Sequence, residues 1–211
     1  MGDYTIGLTG GIGAGKSIVA RILRCNGFTV YDCDSEAKHL MVTLDEIKES
    51  LKSRLGNDIY RNDGNLDRKK LAGMIFSSVT IRTFVNNVVH SAVKKDIEKR
   101  RAAVKGLFFI ESAILAGSGI SQICDKIWIV TASEKERIKR VSQRDNLSKE
   151  EISKRIMAQE KEFELLPSEK SLILNNDSNS PLLMEVLELT HKDNNKQNYT
   201  YYVERNFSNY R

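Results

Sequence analysis

The chain has 211 residues, 40% of them hydrophobic and 29% charged, with a net charge of +5. That composition supports a packed core, either one domain or a core with one or two small insertions. Its longest apolar runs, residues 106–110 and 127–130, are too short to cross a bilayer. No basic-then-apolar leader opens the sequence, and three cysteines without CxxC spacing argue against a disulfide framework or a zinc site. A cytoplasmic protein without a membrane partner is the expectation. The surplus of cations points to an anionic partner. Basic and acidic residues interleave and no aromatic-and-basic RNA-binding motif occurs, which favours phosphorylated metabolites over nucleic acid.

Residues 4–9 form an apolar segment that runs into glycines and read as a first strand. A helix over 17–23 follows, ended by Gly27, and residues 28–31 make a second strand. Residues 107–110, 127–130 and 172–174 are three more. Short apolar strands without strict alternation suit a parallel sheet covered on both faces, and the helices between them give a three-layer α/β core.

Residues 35–102 break this rhythm and read as helical. Leu44, Ile47, Leu51 and Leu55 recur at helical spacing, Asp67 can cap a second helix containing Leu71 and Ile75, and residues 81–101 form a third. The stretch is too long for a simple crossover and reads as an inserted substrate domain. After the fourth strand, Ser133-x-x-Glu136 and Ser148-x-x-Glu151 both have the form of a capping box and predict two helix starts. Arg137, Arg140 and Arg144 lie between them at spacings that share one helical face. Ser180-Pro181 opens a last helix, with Leu183, Val186 and Leu187 expected to turn inward. From Lys192 onward the chain is polar and Asn-rich without periodicity, and reads as a tail. The expected division is a core of residues 1–34, 103–140 and 165–191, a helical domain 35–102, a lid 141–164 and a tail 192–211.

Gly10-Gly11-Ile12-Gly13-Ala14-Gly15-Lys16-Ser17 matches the GxxxxGK[ST] phosphate-binding pattern, with a strand before it and a helix after. The glycines bring backbone N–H groups to phosphate oxygens, Lys16 can reach the β- and γ-phosphates, and Ser17 can ligand Mg²⁺. The helix beginning there adds its positive dipole end. A GTPase would carry an NKxD-type guanine reader late in the chain, and Asn175-Asn176-Asp177 lacks the lysine. A small-molecule kinase needs a base for the acceptor hydroxyl and a cationic lid. Asp32-Cys33-Asp34, at the end of the second strand, offers the base, or else caps the next helix; Cys33 reads as a small buried side chain. The arginine face offers the lid, or else a solvated helix face. Glu111, ending the third strand, is a tentative Mg²⁺ ligand or a hydrogen-bonded strand end. A kinase for another small acceptor and a non-catalytic nucleotide sensor remain the alternatives at this point.

Several segments together resemble the dephospho-CoA kinase family across most of the chain. Gly7-Leu8-Thr9 leading into the phosphate loop is similar to that family's opening, and Val30-Tyr31-Asp32-Cys33-Asp34 to its two-aspartate motif. Leu66-Asp67-Arg68, with Leu71 and Phe76, resembles its substrate-domain helix. Arg144-Asp145 with Arg155-Ile156 and Gln159 resembles its lid, and Leu174-Asn175-Asn176 its late asparagine segment. Three departures stand out: His90-Ser91 where His-Pro is usual, Ser112-Ala113-Ile114-Leu115 where Pro-Leu-Leu is expected, and Glu136 where glutamine is more usual. The resemblance implies a P-loop kinase fold with a five-stranded parallel sheet, a helical CoA-binding insertion and a helical lid. It implies phosphorylation of the ribose 3′-hydroxyl of dephospho-CoA by ATP with Mg²⁺, in a monomer or weak homo-oligomer. By the same resemblance Asp34 is the general base, and Thr9, Lys16 and Arg140 surround the transferred phosphoryl. Arg144 closes from the lid, and Asn176 lies near the adenine of ATP. Asp32, Arg68 and His90 belong with the acceptor.

Overall fold

The computed structural model describes residues 4–195. Its strands are β1 (Tyr4–Gly10), β2 (Thr29–Asp32), β3 (Leu107–Glu111), β4 (Lys126–Thr131) and β5 (Ser171–Asn175). Its helices are α1 (Lys16–Cys25), α2 (Cys33–Thr43), α3 (Asp45–Leu55), α4 (Arg68–Ser77), α5 (Val79–Ala102), α6 (Glu134–Asp145), α7 (Lys149–Glu164) and α8 (Leu182–Asn195). The chain divides into two compact units, the first formed by the segments on either side of Asp32–Ala103 and the second by Asp32–Ala103 itself. No helix among the described residues is long and apolar enough to cross a membrane.

The first unit is an α/β domain around a five-stranded parallel sheet of order β2-β3-β1-β4-β5. β1 is central, with Leu8 opposite Glu111 of β3 and Gly10 opposite Val130 of β4. Because the strands run in parallel, the phosphate loop after β1 shares one sheet edge with Glu111, Thr131 and Asn175. Ligands of open α/β sheets bind at this edge, where the strand order reverses.

Ile6 and Leu8 on one face of β1 pack with Val19, Ala20 and Leu23 of α1 and with Leu182, Val186 and Leu189 of α8. Trp128 and Phe109 meet edge to face at 5.3 Å in the same core. Each large side chain buried this way contributes about 1.5–3 kcal/mol. α1 stops where foreseen: Phe28 N–H donates to Leu23 O and Gly27 N–H to Arg24 O, the paired bonds of a Schellman ending. Cys25 and Cys124 are free thiols, Cys25 exposed and Cys124 buried. Burial pushes the Cys124 thiol up to about 12, as in a packed structural thiol.

The last helix differs from its sequence-based register. Leu182, Val186 and Leu189 face the core, while Leu183 is 53% exposed and Leu187 only half-buried. The helix begins at Leu182, directly after Pro181, so the buried stripe starts one residue earlier than expected. It also runs past residue 191: Asp193 is buried and paired with Lys126 of β4, so residues 192–195 belong to this helix. The remainder of the expected tail lies outside the described residues.

α6 and α7 form a hairpin turned at Asn146, which adopts a left-handed conformation (φ 53°). The expected lid boundary at residue 141 falls inside α6. Val141, Ile152 and Ile156 make a small core between the two helices. Of the two expected capping boxes, Ser148 forms both halves with Glu151. Ser133 forms neither. Its side chain caps nothing, its N–H donates to Asp177 Oδ1 (2.8 Å), and Glu136 turns to Arg140 (3.7 Å).

The second unit is helical. Ile47, Leu51 and Leu55 of α3 are buried, as are Val85, Val89, Val93 and Ile97 of α5. Asp67 caps α4 by accepting from Lys70 N–H, as expected. α2 is the helix not separately foreseen. It begins where β2 ends because the Asp32 carboxylate accepts from the N–H groups of Asp34 and Ser35.

Ser148→Ala is expected to cost about 1 kcal/mol of stability in urea unfolding, whereas Ser133→Ala stays within about 0.5 kcal/mol of the parent. Equal losses would contradict the one-sided capping.

Candidate active site

Five consecutive carbonyls hold the phosphate loop in shape. Gly11 O accepts from Ala14 N–H (3.0 Å), Ile12 O from Arg137 Nε (2.9 Å) and Gly13 O from Arg140 Nη1 (3.4 Å). Ala14 O accepts from Asn176 Nδ2 (2.8 Å) and Gly15 O from Ile18 N–H (2.9 Å). The N–H groups of Gly13, Gly15, Lys16 and Ser17 have no protein acceptor among the described residues. No side chain caps α1, whose N-cap is Gly15. An uncapped helix start with converging amides is an anion site.

Gly13 and Gly15 both have positive φ, 77° and 96°. A Cβ on Gly13 would lie 2.7 Å from the Arg137 carbonyl, and one on Gly15 2.0 Å from Asn176 Nδ2. A Cβ on Gly11 would strike the Arg137 guanidinium at 2.3 Å. The glycines therefore admit protein groups packed against the loop as well as giving it its turn.

Lys16 Nζ bonds Glu111 Oε1 at 2.9 Å, and Arg24 Nη2 reaches Glu111 Oε2 at 3.3 Å. Glu111 is 6% exposed, and these two cations are its partners away from water. Both oxygens of the tentative metal ligand are thus taken up by Lys16 and Arg24. Ser17 is exposed in the first turn of α1. Thr9 is fully buried on β1, and its hydroxyl has no hydrogen-bond partner among the described residues. Among the described residues no group of three or more His, Cys, Asp or Glu side chains is placed to hold a metal.

The three arginines of α6 do not act alike. Arg137 and Arg140 turn onto the loop, and Arg140 Nη2 also donates to Asn176 O (2.7 Å). Burial lowers the Arg137 pKa, with Glu134 and Glu160 opposing the shift. Arg144 instead forks onto Asp145 through two 2.7 Å bonds, with its side chain 65% exposed. The structure does not bring it to the loop. Asn176 is 8% exposed and supports the loop from beneath through Ala14. From α7, Gln159 Oε1 accepts from Ile12 N–H at 2.7 Å, and Glu162 accepts from the N–H groups of Ala116 and Gly117.

In the helical unit, Asp32 caps α2 and also accepts from the Ser35 hydroxyl (2.8 Å). Asp34 is exposed in the first turn, its carboxylate in no hydrogen bond or ion pair among the described residues. The strand ends at Asp32, so strand alternation does not govern where the two carboxylates point. Arg68 is exposed at the start of α4. His90 is half-buried on α5, and burial followed by the nearby Lys94 lowers its pKa.

A family model described as dephospho-CoA kinase matches residues 4–181. The chain belongs to the dephospho-CoA kinase family. The dephospho-CoA kinase of Porphyromonas gingivalis is 44% identical over 162 residues, covering 76% of this chain and 80% of that protein. That of Bacteroides fragilis is 36% identical over 186 residues, covering 87% and 90%. A solved structure of a Thermus thermophilus protein has a TM-score of 0.74 at 30% identity, covering 90% of this chain and 97% of that one. Dephospho-CoA kinase from Campylobacter jejuni, 19% identical with a TM-score of 0.67, shares the fold.

Within this dephospho-CoA kinase family site, two contributors had no separate signal in the sequence. Arg24 lies two helical turns beyond Lys16, and nothing in the spacing places Glu111 between them. Glu162 reads as one acid of a charged helix and becomes an acceptor only because α7 lies beside the Ala116–Gly117 turn.

Asn176→Ala removes the donor to Ala14 O and is expected to weaken ADP binding about tenfold in titration calorimetry. Unchanged affinity would show that the loop keeps its shape without that support.

Proposed function

We propose that the chain transfers the γ-phosphoryl group of ATP to the ribose 3′-hydroxyl of dephospho-CoA, giving coenzyme A and ADP. This is the last step of coenzyme A synthesis. The observation that carries the reading is the phosphate loop, with amides open for phosphate and Lys16 and Arg140 beside it, in a chain of this family. Asp34 is the general base, supported by its exposed and uncommitted carboxylate. It takes the 3′-hydroxyl proton as that oxygen attacks phosphorus in line and ADP departs.

Lys16 and Arg140 offset the negative charge that develops on the transferred group, with Thr9 beneath it. Arg144 reaches the phosphates by leaving Asp145. Such an exposed pair holds it weakly, because solvent screens the attraction. Glu111 anchors Lys16, and Asn176 holds the loop for ATP. Asp32 fixes the turn that presents Asp34, and Arg68 and His90 contact the acceptor. Mg²⁺ bound with ATP would be held by the Ser17 hydroxyl and would neutralise phosphate charge. The exposed Ser17 at the helix start fits that role better than Glu111, whose oxygens are engaged. We read the working protein as a cytoplasmic monomer or weak homo-oligomer, in keeping with the free thiols of Cys25 and Cys124.

A coupled ADP-release assay with Mg-ATP tests the reaction. ADP should form only when dephospho-CoA is added, with a product heavier by one phosphoryl group. Release independent of dephospho-CoA would overturn the acceptor. Asp34→Asn should lower turnover by about 10²- to 10⁴-fold while ADP still binds, and near-normal turnover would remove Asp34 from the role of base.

A further inference from the structure

Ile12, the third residue of the phosphate loop, is held at three points by the α6–α7 hairpin. Its N–H donates to Gln159 Oε1 of α7 (2.7 Å), and its carbonyl accepts from Arg137 Nε of α6 (2.9 Å). Its side chain packs against Val141, Ile152 and Ile156, the small core between the same two helices. Arg137 is also wedged over Gly11, and its backbone carbonyl approaches Gly13, so both glycine positions are shaped to receive α6. One Arg137 nitrogen, Nη2, is buried there without an acceptor among the described residues, which sets a desolvated positive charge against the loop.

We infer that Arg137 and Gln159 form a clamp on Ile12 and are positioning residues for the nucleotide half of the reaction. The inference rests on the kinase reading above and extends it to two residues that this reading leaves without a role. Two rigid helices fix the backbone direction on both sides of Ile12, and the direction of the following amides depends on it. Without the Gln159 acceptor, Ile12 N–H needs another partner and can take one by rotating into the loop. Without Arg137, Ile12 O is orphaned and the positive charge beside Gly11 is lost. Each change disorders the amide array that receives phosphate, and both residues belong to the α/β unit. The clamp also makes the phosphate loop and the base of the arginine-bearing hairpin a single mechanical piece, so bound nucleotide and the position of α6 depend on each other.

The test uses the full chain with Arg137→Met, Gln159→Met, the double variant and Arg137→Lys. ADP affinity is measured by titration calorimetry, KM for ATP and for dephospho-CoA by initial rates, and folding by thermal unfolding without nucleotide. Each Met variant is expected to raise the ADP Kd and the ATP KM by about five- to fifty-fold, with the dephospho-CoA KM within about twofold. The double variant should lose less than the product of the single losses, because both residues act on one loop residue. Arg137→Lys, which keeps a cationic donor, should recover most of the affinity. Parental ADP affinity in either folded Met variant overturns the inference, as does an equal rise in both KM values. Gln159→Met, at a half-buried position, carries the same test if Arg137→Met does not fold. Absence of ADP binding by the parent protein would instead sink the kinase reading itself.

Discussion

A loop that binds phosphate through its backbone must keep several N–H groups away from protein acceptors, and it therefore gives up the bonds that normally fix a turn. In this chain the carbonyls take over that task. From Gly11 to Gly15 every carbonyl has a donor, supplied by the loop itself, by α6, by Asn176 after β5 and by α1. A buried backbone group left unpaired costs as much as a lost hydrogen bond, so satisfying the carbonyl side confines the strain of the loop to the amides that phosphate will use. The rest of the domain is arranged around this division. The sheet order puts β4 beside β1 and β5 beside β4, which brings the Asn176 turn beneath the loop.

The charges follow the same logic of commitment. Lys16 and Arg24 share one buried carboxylate, Glu111, so the lysine is oriented before any nucleotide arrives. Removing either cation would leave a buried carboxylate with a poorer set of partners, which is costly away from water. Arg144 and Asp145 are the opposite case. They are adjacent, exposed and screened by solvent, and that bond resists rearrangement little. The hairpin thus has two arginines committed to the loop and a third paired only with its own exposed neighbour.

Much of this was legible in the sequence because strong local rules applied. The five strands lie within one residue of their expected ends, since short apolar runs bounded by turns leave few alternatives. The phosphate loop announces itself through glycines whose backbone angles no other residue adopts cheaply. What stayed hidden depended on tertiary choice between equivalent neighbours. Leu182 and Leu183 are both apolar, and only the direction in which α8 leaves Pro181 decides which is buried. Ser133 and Ser148 carry the same capping pattern, but Asp177 competes for the Ser133 N–H while Glu136 is drawn to Arg140. The arginine spacing correctly placed three cations on one face, yet an i+1 aspartate captured the last of them.

The two aspartates after β2 show why a carboxylate's role is settled by its neighbours. Both stand at a strand-to-helix junction, and either could serve as N-cap. The strand ends at Asp32, whose extended backbone (φ −90°, ψ 102°) suits a cap, and its carboxylate accepts from the N–H groups of Asp34 and Ser35 and from the Ser35 hydroxyl. A residue inside the first helical turn cannot perform that task, because its own N–H is one of those being capped. Asp34 is therefore excluded from the structural role by the residue that fills it. Capping by the first aspartate and availability of the second are consequences of the same turn.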